Sequence, residues 1–451
     1  MNNQELTLSS ADASLLTDLY QLTMTACYVG EGLENQRASF ELFARRLPAD
    51  YGYLIAMGLA QALDYLETFC FSESQLDQLR ATEIFAHAPE RFWDLLATAR
   101  FAGDVWAVPE GTAVFANEPL MRVEAPLWQA QIVETYLLNT LNYQTLIATR
   151  AARMRDVAGA DAVLLEFGTR RAFSPQASIW AARASLAAGF NATSNVLAAL
   201  KLGQKPSGTM AHSLVMALAA KEGSETQAFE AFHRYFPGAP LLIDTYDTIA
   251  AAEGLSKKLQ RGEIELAGVR LDSGDLASLS KQVRPLLPGV PIFASGDLDE
   301  YRMTELKSEG ACIDGYGLGT QLVTGTPVNG VYKLVDIDGI PVMKESTGKM
   351  TYPGRKQIFR QFQDGIAVSD RLGLIIEDSP QESETPLLQL VMKQGSRTSE
   401  PESLSAIAHR TAQCVASLPP NTRQIRSPAP FPVEPSSALV ALIEQRKLGK
   451  R

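Results

Sequence analysis

Cysteine is scarce in this chain: Cys27, Cys70, Cys312 and Cys414 are the four in 451 residues, and no two form a Cys-x-x-Cys pair. That spacing suggests neither a disulfide framework nor a zinc site, so the four read as reduced packing material. No apolar run is long enough to span a bilayer. The start, Met1-Asn2-Asn3-Gln4-Glu5, lacks the basic and apolar regions of a secretion signal. The expectation is a cytoplasmic protein with no membrane partner. Positive charge is also short, 41 Lys and Arg against 51 Asp and Glu for a net charge of -10, and the cations are scattered. Nucleic acid is therefore not an expected partner, because neutralising its phosphates demands a basic face. Internal repeats and long low-complexity tracts are missing too.

What is present is an ordinary globular balance, 46% hydrophobic and 20% charged, enough for a large core shared by two domains or by one elaborated barrel. Between Val163 and Lys333 short apolar runs end in glycine and polar residues and are followed by helix-compatible stretches. The runs are 162–168, 188–194, 206–212, 240–245, 267–272, 290–295 and 313–319, with amphipathic segments such as 177–186 and 276–287 between them. Alternation of this kind implies parallel strands with right-handed crossovers. Seven units favour a closed barrel over an open doubly wound sheet. The fold expected is thus α/β, an irregular TIM-like α/β barrel over residues 129–350. An additional α+β domain is expected from residues 1–128, with helices over 15–28 and 54–69 and strands near 38–43 and 111–115. Residues 351–451 would form a C-terminal extension packing on it. A hairpin is predicted over 330–344, turning at Asp338-Gly339. The tail from about Pro380 has proline-rich, polar stretches and ends in a helix-like segment over 437–447.

In either α/β architecture ligands gather at the carboxyl ends of the strands, and that is where the polar clusters of this region fall. Gly208-Thr209-Met210-Ala211-His212-Ser213 sets an imidazole beside small residues, where backbone amides can approach a phosphate. His212 is the candidate nucleophile, against the plain alternative of a satisfied rim histidine. Arg270 and Asp272 point to the same side of a strand. A carboxylate there can hold a sugar diol while the guanidinium faces a ring or an anion. Ser273 and Asp275 can equally open the next helix as a cap. The small-residue turns at Ser295-Gly296-Asp297 and Gly317-Leu318-Gly319-Thr320 can present N–H groups to phosphate oxygens, though glycines often serve only positive φ. Phe167, Arg170 and Arg171 combine a flat ring with two cations. Asp18 and Tyr20 sit at what reads as a capped helix start.

Taken together, Leu15–Gln21, Glu166–Ala172, Gly208–Ser213, Ile243–Thr248, Arg270–Asp275, Ala294–Leu298 and Gly315–Thr320 closely resemble the nicotinate phosphoribosyltransferases, a family of type II phosphoribosyltransferases. The resemblance covers nearly the whole chain and implies ATP-coupled transfer of phosphoribosyl from 5-phosphoribosyl 1-pyrophosphate to nicotinate, the first step of NAD salvage. By the same resemblance His212 would be transiently phosphorylated by ATP, with Mg2+ accompanying the phosphates. Asp272 and Arg270 would hold ribose and ring, Phe167 would stack on the pyridine, and Asp244 and Asp275 would contact substrate. Arg170 and the loops carrying Ser295, Gly296, Asp297, Gly317, Gly319 and Thr320 would take the phosphates. Tyr20 and Asp18 resemble residues that relatives lend across a dimer, which implies a homodimer with the active site at its interface. Ser194 stands where nicotinamide-using relatives carry an aspartate, and with Arg171 it favours the acid over the amide. The alternatives are a nicotinamide-using transferase and a non-catalytic homologue that binds nucleotide or sugar phosphate. A lysine Schiff-base barrel enzyme is disfavoured, because no strand end offers an obviously desolvated lysine.

Overall fold

In the computed structural model the chain is described over residues 6–346, 349–377 and 384–448. The opening pentapeptide and the first residues of the tail after Pro380 lie outside them. The chain divides into two compact units, Met1–Leu146 with Pro327–Arg451, and Ile147–Thr326.

The first unit is built on antiparallel pairing. Seven strands lie in the order Ile340–Pro341, Gly330–Ile337, Arg37–Ala44, Pro119–Pro126, Asp104–Ala107, Gln389–Lys393 and Ser396–Arg397. The hairpin forms as the sequence predicts, with Ile337 opposite Ile340. Asp338 and Gly339 take φ values of 49° and 78°, the paired left-handed residues that a two-residue turn needs. Two predicted helices differ. The stretch from Leu15 is broken, a 3-10 turn over Ser10–Leu15 giving way to a helix over Leu19–Gly30. The stretch from Leu54 opens as strand Leu54–Ile55, and the helix waits until Leu59. Gly58 (φ 102°) gives its N–H to the buried Glu110 Oε1 at 2.7 Å, which pins the chain outside helical geometry there.

A second sheet of this unit, Glu384–Pro386, Lys356–Gln363, Ile366–Leu374 and Val433–Pro435, buries an ion pair. Arg360 holds Asp370 through Nε at 2.9 Å and Nη2 at 2.6 Å. Burial and the neighbouring Asp370 keep the Glu118 carboxyl well above the usual carboxylate range. Replacing Arg360 by Ala strands both acids in a dry interior, so Arg360→Ala is expected to cost about 3–5 kcal/mol. Urea unfolding followed by circular dichroism checks it, and a midpoint equal to wild type contradicts it.

The second unit is an α/β layer with six parallel strands. They are β1 (Val163–Glu166), β2 (Ala192–Thr193), β3 (Leu241–Leu242), β4 (Val269–Leu271), β5 (Ile292–Ser295) and β6 (Gly315–Leu318). Their hydrogen-bonded order is β2-β1-β6-β5-β4-β3. Leu164, Val269, Leu271, Ile292, Ala294 and Leu318 are fully buried, which is why these strands read as apolar runs without alternation. Helices follow the strands: α1 (Pro175–Ala187), α2 (Val196–Lys201), α3 (His212–Glu222), α4 (Glu225–Tyr235), α5 (Thr248–Gln260), α6 (Leu276–Leu286), α7 (Glu300–Ser308) and the short α8 (Thr320–Val323). Five of them begin on a side-chain cap. Ser174, Asn195, Asp247, Asp275 and Asp299 each accept a hydrogen bond from an N–H of the first turn.

Residues 206–211, predicted as a strand, form none. The segment is extended, and its bonds run outward: Ser207 N–H donates to Thr193 O at 2.9 Å, and Thr209 Oγ1 to Pro240 O at 2.5 Å. It thus touches the ends of both edge strands, β2 and β3, without a ladder to either. Among the described residues no helix is long and apolar enough to cross a membrane.

Candidate active site

The carboxyl end of this parallel sheet is hollowed into a cavity of about 620 Å³, within the size range of small-molecule sites. Its wall is assembled from six separated stretches. They are Phe167 with Arg170 and Arg171, Ser194, Gly208–Ala211, Arg270 with Asp272, Ser295–Asp297, and Gly317 with Gly319 and Thr320.

Five of the stretches lie on or follow strands, and the Gly208–Ala211 stretch belongs to the extended segment that forms none. Phe167 N–H donates to Leu318 O at 2.7 Å, tying the end of β1 to β6. A Cβ on Gly317 would fall 2.5 Å from Phe167 Cε2, so the ring lies directly on that backbone and glycine is what admits it. Glu166, the residue before Phe167, is wholly buried. Its carboxylate accepts from Gly168 N–H and from Thr193 Oγ1, the latter at 2.5 Å, and so joins the ends of β1 and β2. Burial raises the Glu166 carboxyl, and these two bonds oppose the shift. Ser194 hangs from the same frame through its N–H to Glu166 O at 2.9 Å. Arg170 and Arg171 are exposed at the rim.

The floor is a charged triangle. Arg270 Nη1 reaches Asp272 Oδ1 at 2.8 Å and Ser295 Oγ at 3.0 Å, and Ser295 Oγ donates to the same Asp272 oxygen at 2.5 Å. Arg270 Nη2 donates to Met210 O at 2.8 Å, which anchors the extended 206–211 segment. Burial pulls the Arg270 proton affinity down, and the acids Asp272 and Asp244 offset it. Asp272 Oδ1 is therefore saturated, while Oδ2 has no such clamp.

His212 opens α3 just behind Ala211. Its Nδ1 lies 3.1 Å from Thr245 Oγ1, and its Nε2 lies 3.9 Å from both Asp244 Oδ1 and Asp272 Oδ2. Asp244 Oδ2 accepts from Asp272 N–H at 2.8 Å and Ser273 Oγ at 2.7 Å, so this acid locks the loop after β4. The imidazole thus faces two carboxylates and is held by a hydroxyl on its other nitrogen.

Gly296 (φ 92°) and Asp297 (φ 47°) are both left-handed. A Cβ on Gly296 would sit 2.2 Å from Asp272 O, a backbone atom with nowhere to go. Gly296→Ala is expected to leave the chain folded and lower kcat/KM about 10- to 100-fold by shifting Asp272, since misplacement by about an ångström costs on that order. Steady-state kinetics checks it, and an unchanged kcat/KM contradicts it.

Asp275 stands outside the cavity. Its carboxylate caps α6, accepting from Ser278 N–H at 3.0 Å. Asp18 and Tyr20 belong to the first unit: Asp18 precedes the helix Leu19–Gly30 and accepts from Thr135 Oγ1 at 3.2 Å, and Tyr20 is 46% exposed. Burial, then Glu134 and Asp18, push the Tyr20 phenol up to about 12, so it remains a proton donor. Three contributors had no signal of their own in the sequence. Glu166, Thr193 and Thr245 matter through partners distant in the chain, although Glu166 and Thr245 lie inside the Glu166–Ala172 and Ile243–Thr248 segments and Thr193 inside the 188–194 run already singled out.

The arrangement offers a sugar-sized hollow with an aromatic shelf, a carboxylate for a hydroxyl-bearing ring, backbone amides and two rim guanidiniums for anions, and one imidazole. The family profile described as the nicotinate phosphoribosyltransferase family matches residues 163–288. The profiles for that enzyme's N-terminal and C-terminal domains match 15–142 and 382–443. A nicotinate phosphoribosyltransferase of Mycobacterium tuberculosis is 41% identical over 95% of this chain and 92% of its own length. One from Bacillus subtilis is 45% identical over 77% and 73%. The crystal structure of human nicotinic acid phosphoribosyltransferase superposes with a TM-score of 0.81 at 31% identity, covering 95% of this chain and 99% of that one.

Proposed function

The chain belongs to the nicotinate phosphoribosyltransferase family, and from that premise we propose that it transfers the phosphoribosyl group of 5-phosphoribosyl 1-pyrophosphate to nicotinate, with ATP hydrolysed alongside. The bond from the anomeric carbon to pyrophosphate breaks, and the bond to the pyridine nitrogen forms. That nitrogen already carries its lone pair, so no strong base is required. What must be stabilised is positive charge on the sugar as pyrophosphate departs.

The observation that carries this reading is the Arg270–Asp272–Ser295 triangle on the floor of a cavity whose walls hold an aromatic shelf and amide-rich turns. Asp272, with Oδ1 clamped, would offer Oδ2 to the ribose. Phe167 would stack on the pyridine, with Arg171 and the uncharged Ser194 favouring a carboxylate on that ring. Arg170 and the turns at Ser295–Asp297 and Gly317–Thr320 would take phosphate oxygens. His212 would receive the γ-phosphoryl of ATP, and the added charge would act through affinity and preorganisation. Magnesium is the expected companion of these phosphates. Among the described residues no three His, Cys, Asp or Glu side chains are grouped to hold a metal ion.

Two further elements belong to the reading. In a barrel closure, the 206–211 segment would stand between the edge strands, supported by its bonds to Thr193 O and Pro240 O. In a cytoplasmic homodimer, Asp18 and Tyr20 of one protomer would complete the site of the other. Exposure of Leu16, Leu19 and Tyr20 along one short stretch supports that.

With phosphoribosyl pyrophosphate, ATP and magnesium, the purified protein is expected to release pyrophosphate with nicotinate far faster than with nicotinamide. Production of nicotinamide mononucleotide alone would overturn the acid reading. Substrate binding by calorimetry with no pyrophosphate release would overturn catalysis.

A further inference from the structure

One buried carboxylate ties together the two turns that carry Phe167, Arg171 and Ser194. The first turn follows β1. Gly168 O accepts from Arg171 N–H at 2.8 Å and from Ala172 N–H at 3.1 Å, so the backbone beneath the rim guanidinium is fixed by Gly168. Gly168 N–H in turn donates to Glu166 Oε1. A Cβ on Gly168 would fall 2.2 Å from Val323 Cγ1 and 2.9 Å from Glu166 Oε1, so the turn is wedged between α8 and that carboxylate.

The second turn follows β2 and carries Ser194. β2 is short, and Leu165–Ala192 and Glu166–Thr193 are its register pairs with β1. Thr193 Oγ1 accepts from Asn195 N–H at 2.9 Å and lies 2.5 Å from Glu166 Oε2, which assigns the hydroxyl proton to the carboxylate. Asn195 Nδ2 donates to Ser178 Oγ on α1 at 3.2 Å, and its Oδ1 caps α2. Thr193 O accepts from Ser207 N–H at 2.9 Å, which ties in the segment leading to Gly208. Glu166, Thr193 and Asn195 are all buried.

We propose that Glu166 is a positioning residue for the ring substrate: bridged to Thr193, it fixes the spacing between the Phe167–Arg171 turn and Ser194, and so sets the choice of a pyridine carboxylate over its carboxamide. This extends the reading in which those three side chains receive nicotinate. A carboxylate is acceptor-only, and here each oxygen takes one donor from a different turn. A wholly buried charge is costly, and these two bonds are what offset its burial. Carboxylate and carboxamide have nearly the same shape, so they are told apart by polar groups held in fixed places. A slackened frame binds both less well and distinguishes them less.

The bridge can be cut at the end remote from Phe167. Thr193→Val keeps the shape but takes the donor from Glu166 Oε2 and the acceptor from Asn195 N–H. Thr193→Ser keeps the hydroxyl. Glu166→Gln can still accept from Gly168 N–H, but it presents an N–H₂ group to Thr193 Oγ1, whose own proton then loses its acceptor.

The deciding experiment combines steady-state kinetics on nicotinate and nicotinamide with hydrogen exchange, read by mass spectrometry, on the unliganded full chain of wild type, T193V, T193S and E166Q. T193V should raise KM for nicotinate about 5- to 20-fold and lower the acid-to-amide ratio of kcat/KM by a similar factor, with KM for the sugar pyrophosphate changed less than about twofold. E166Q should move the same way by a smaller factor, and T193S should return both quantities to within about threefold of wild type. Exchange in T193V should quicken over Phe167–Ala172 as well as over Ser194–Val196, because the first turn is reached only through the bridge. A folded T193V with unchanged nicotinate KM and selectivity, a rise shared equally by both substrates, or faster exchange confined to the Ser194 turn would overturn the proposal. Should T193V not fold, an acid-to-amide ratio in E166Q equal to wild type overturns it instead. Exchange needs no turnover, so a wild type that never transfers phosphoribosyl would sink the functional reading while the coupling of the two turns was still decided by itself.

Discussion

Asp272→Asn should lower kcat/KM for the sugar pyrophosphate about 10²–10³-fold, on the scale seen when one preorganised electrostatic partner of a transition state is removed. The substitution keeps the shape and changes two things. It deletes the negative charge that the proposed reading sets against the sugar, and it leaves the Arg270 guanidinium, only partly solvated, without its acid at 2.8 Å. In that reading the charge that Asp272 would answer is absent in the bound sugar and grows as pyrophosphate leaves. The loss should therefore fall mainly on kcat and only mildly on KM. Steady-state kinetics at saturating nicotinate separates the two. A change below tenfold, or one confined to KM, would mean that Asp272 only binds.

The second large effect concerns the histidine. His212→Asn should abolish any acid-labile phosphate on the protein after incubation with ATP and magnesium, read by mass spectrometry under alkaline handling. ATP stimulation should vanish with it, leaving kcat/KM at the level wild type shows without ATP, a fall of about 10²–10⁴-fold if the phosphoryl step contributes as a typical nucleophile does. The ATP-free wild type is the internal reference. An H212N variant still stimulated by ATP would move the phosphoryl acceptor elsewhere. His212 Nδ1 lies beside Thr245 Oγ1 while Nε2 faces Asp244 and Asp272, so the ring is held in place by neighbours that would survive the substitution.

Much of this was legible in the sequence because parallel strands buried on both faces leave an unbroken apolar signature. Val163–Glu166, Ile292–Ser295 and Gly315–Leu318 stand where their runs predict strands. The polar clusters at their ends converge for the same reason, since the carboxyl ends of parallel strands share one rim. The 206–211 segment failed as a strand because its backbone bonds go to Thr193 and its side-chain bond to Pro240, a pattern no local periodicity encodes. Leu54–Phe69 failed as one helix because Gly58 is fixed by Glu110, 52 residues away in sequence. Asp275 could be a ligand or a cap; its carboxylate caps α6, outside the cavity wall.

The proposed chemistry needs one hollow that holds the sugar against Asp272 with its phosphates on the surrounding turns. A crystal structure of the full chain with phosphoribosyl pyrophosphate and magnesium tests it most directly. The ribose is expected within hydrogen-bond reach of Asp272 Oδ2, with phosphate oxygens on the backbone amides of Ser295–Asp297 and Gly317–Thr320. Density for the sugar elsewhere, or bound in that cavity with Asp272 and both turns out of contact, would contradict it.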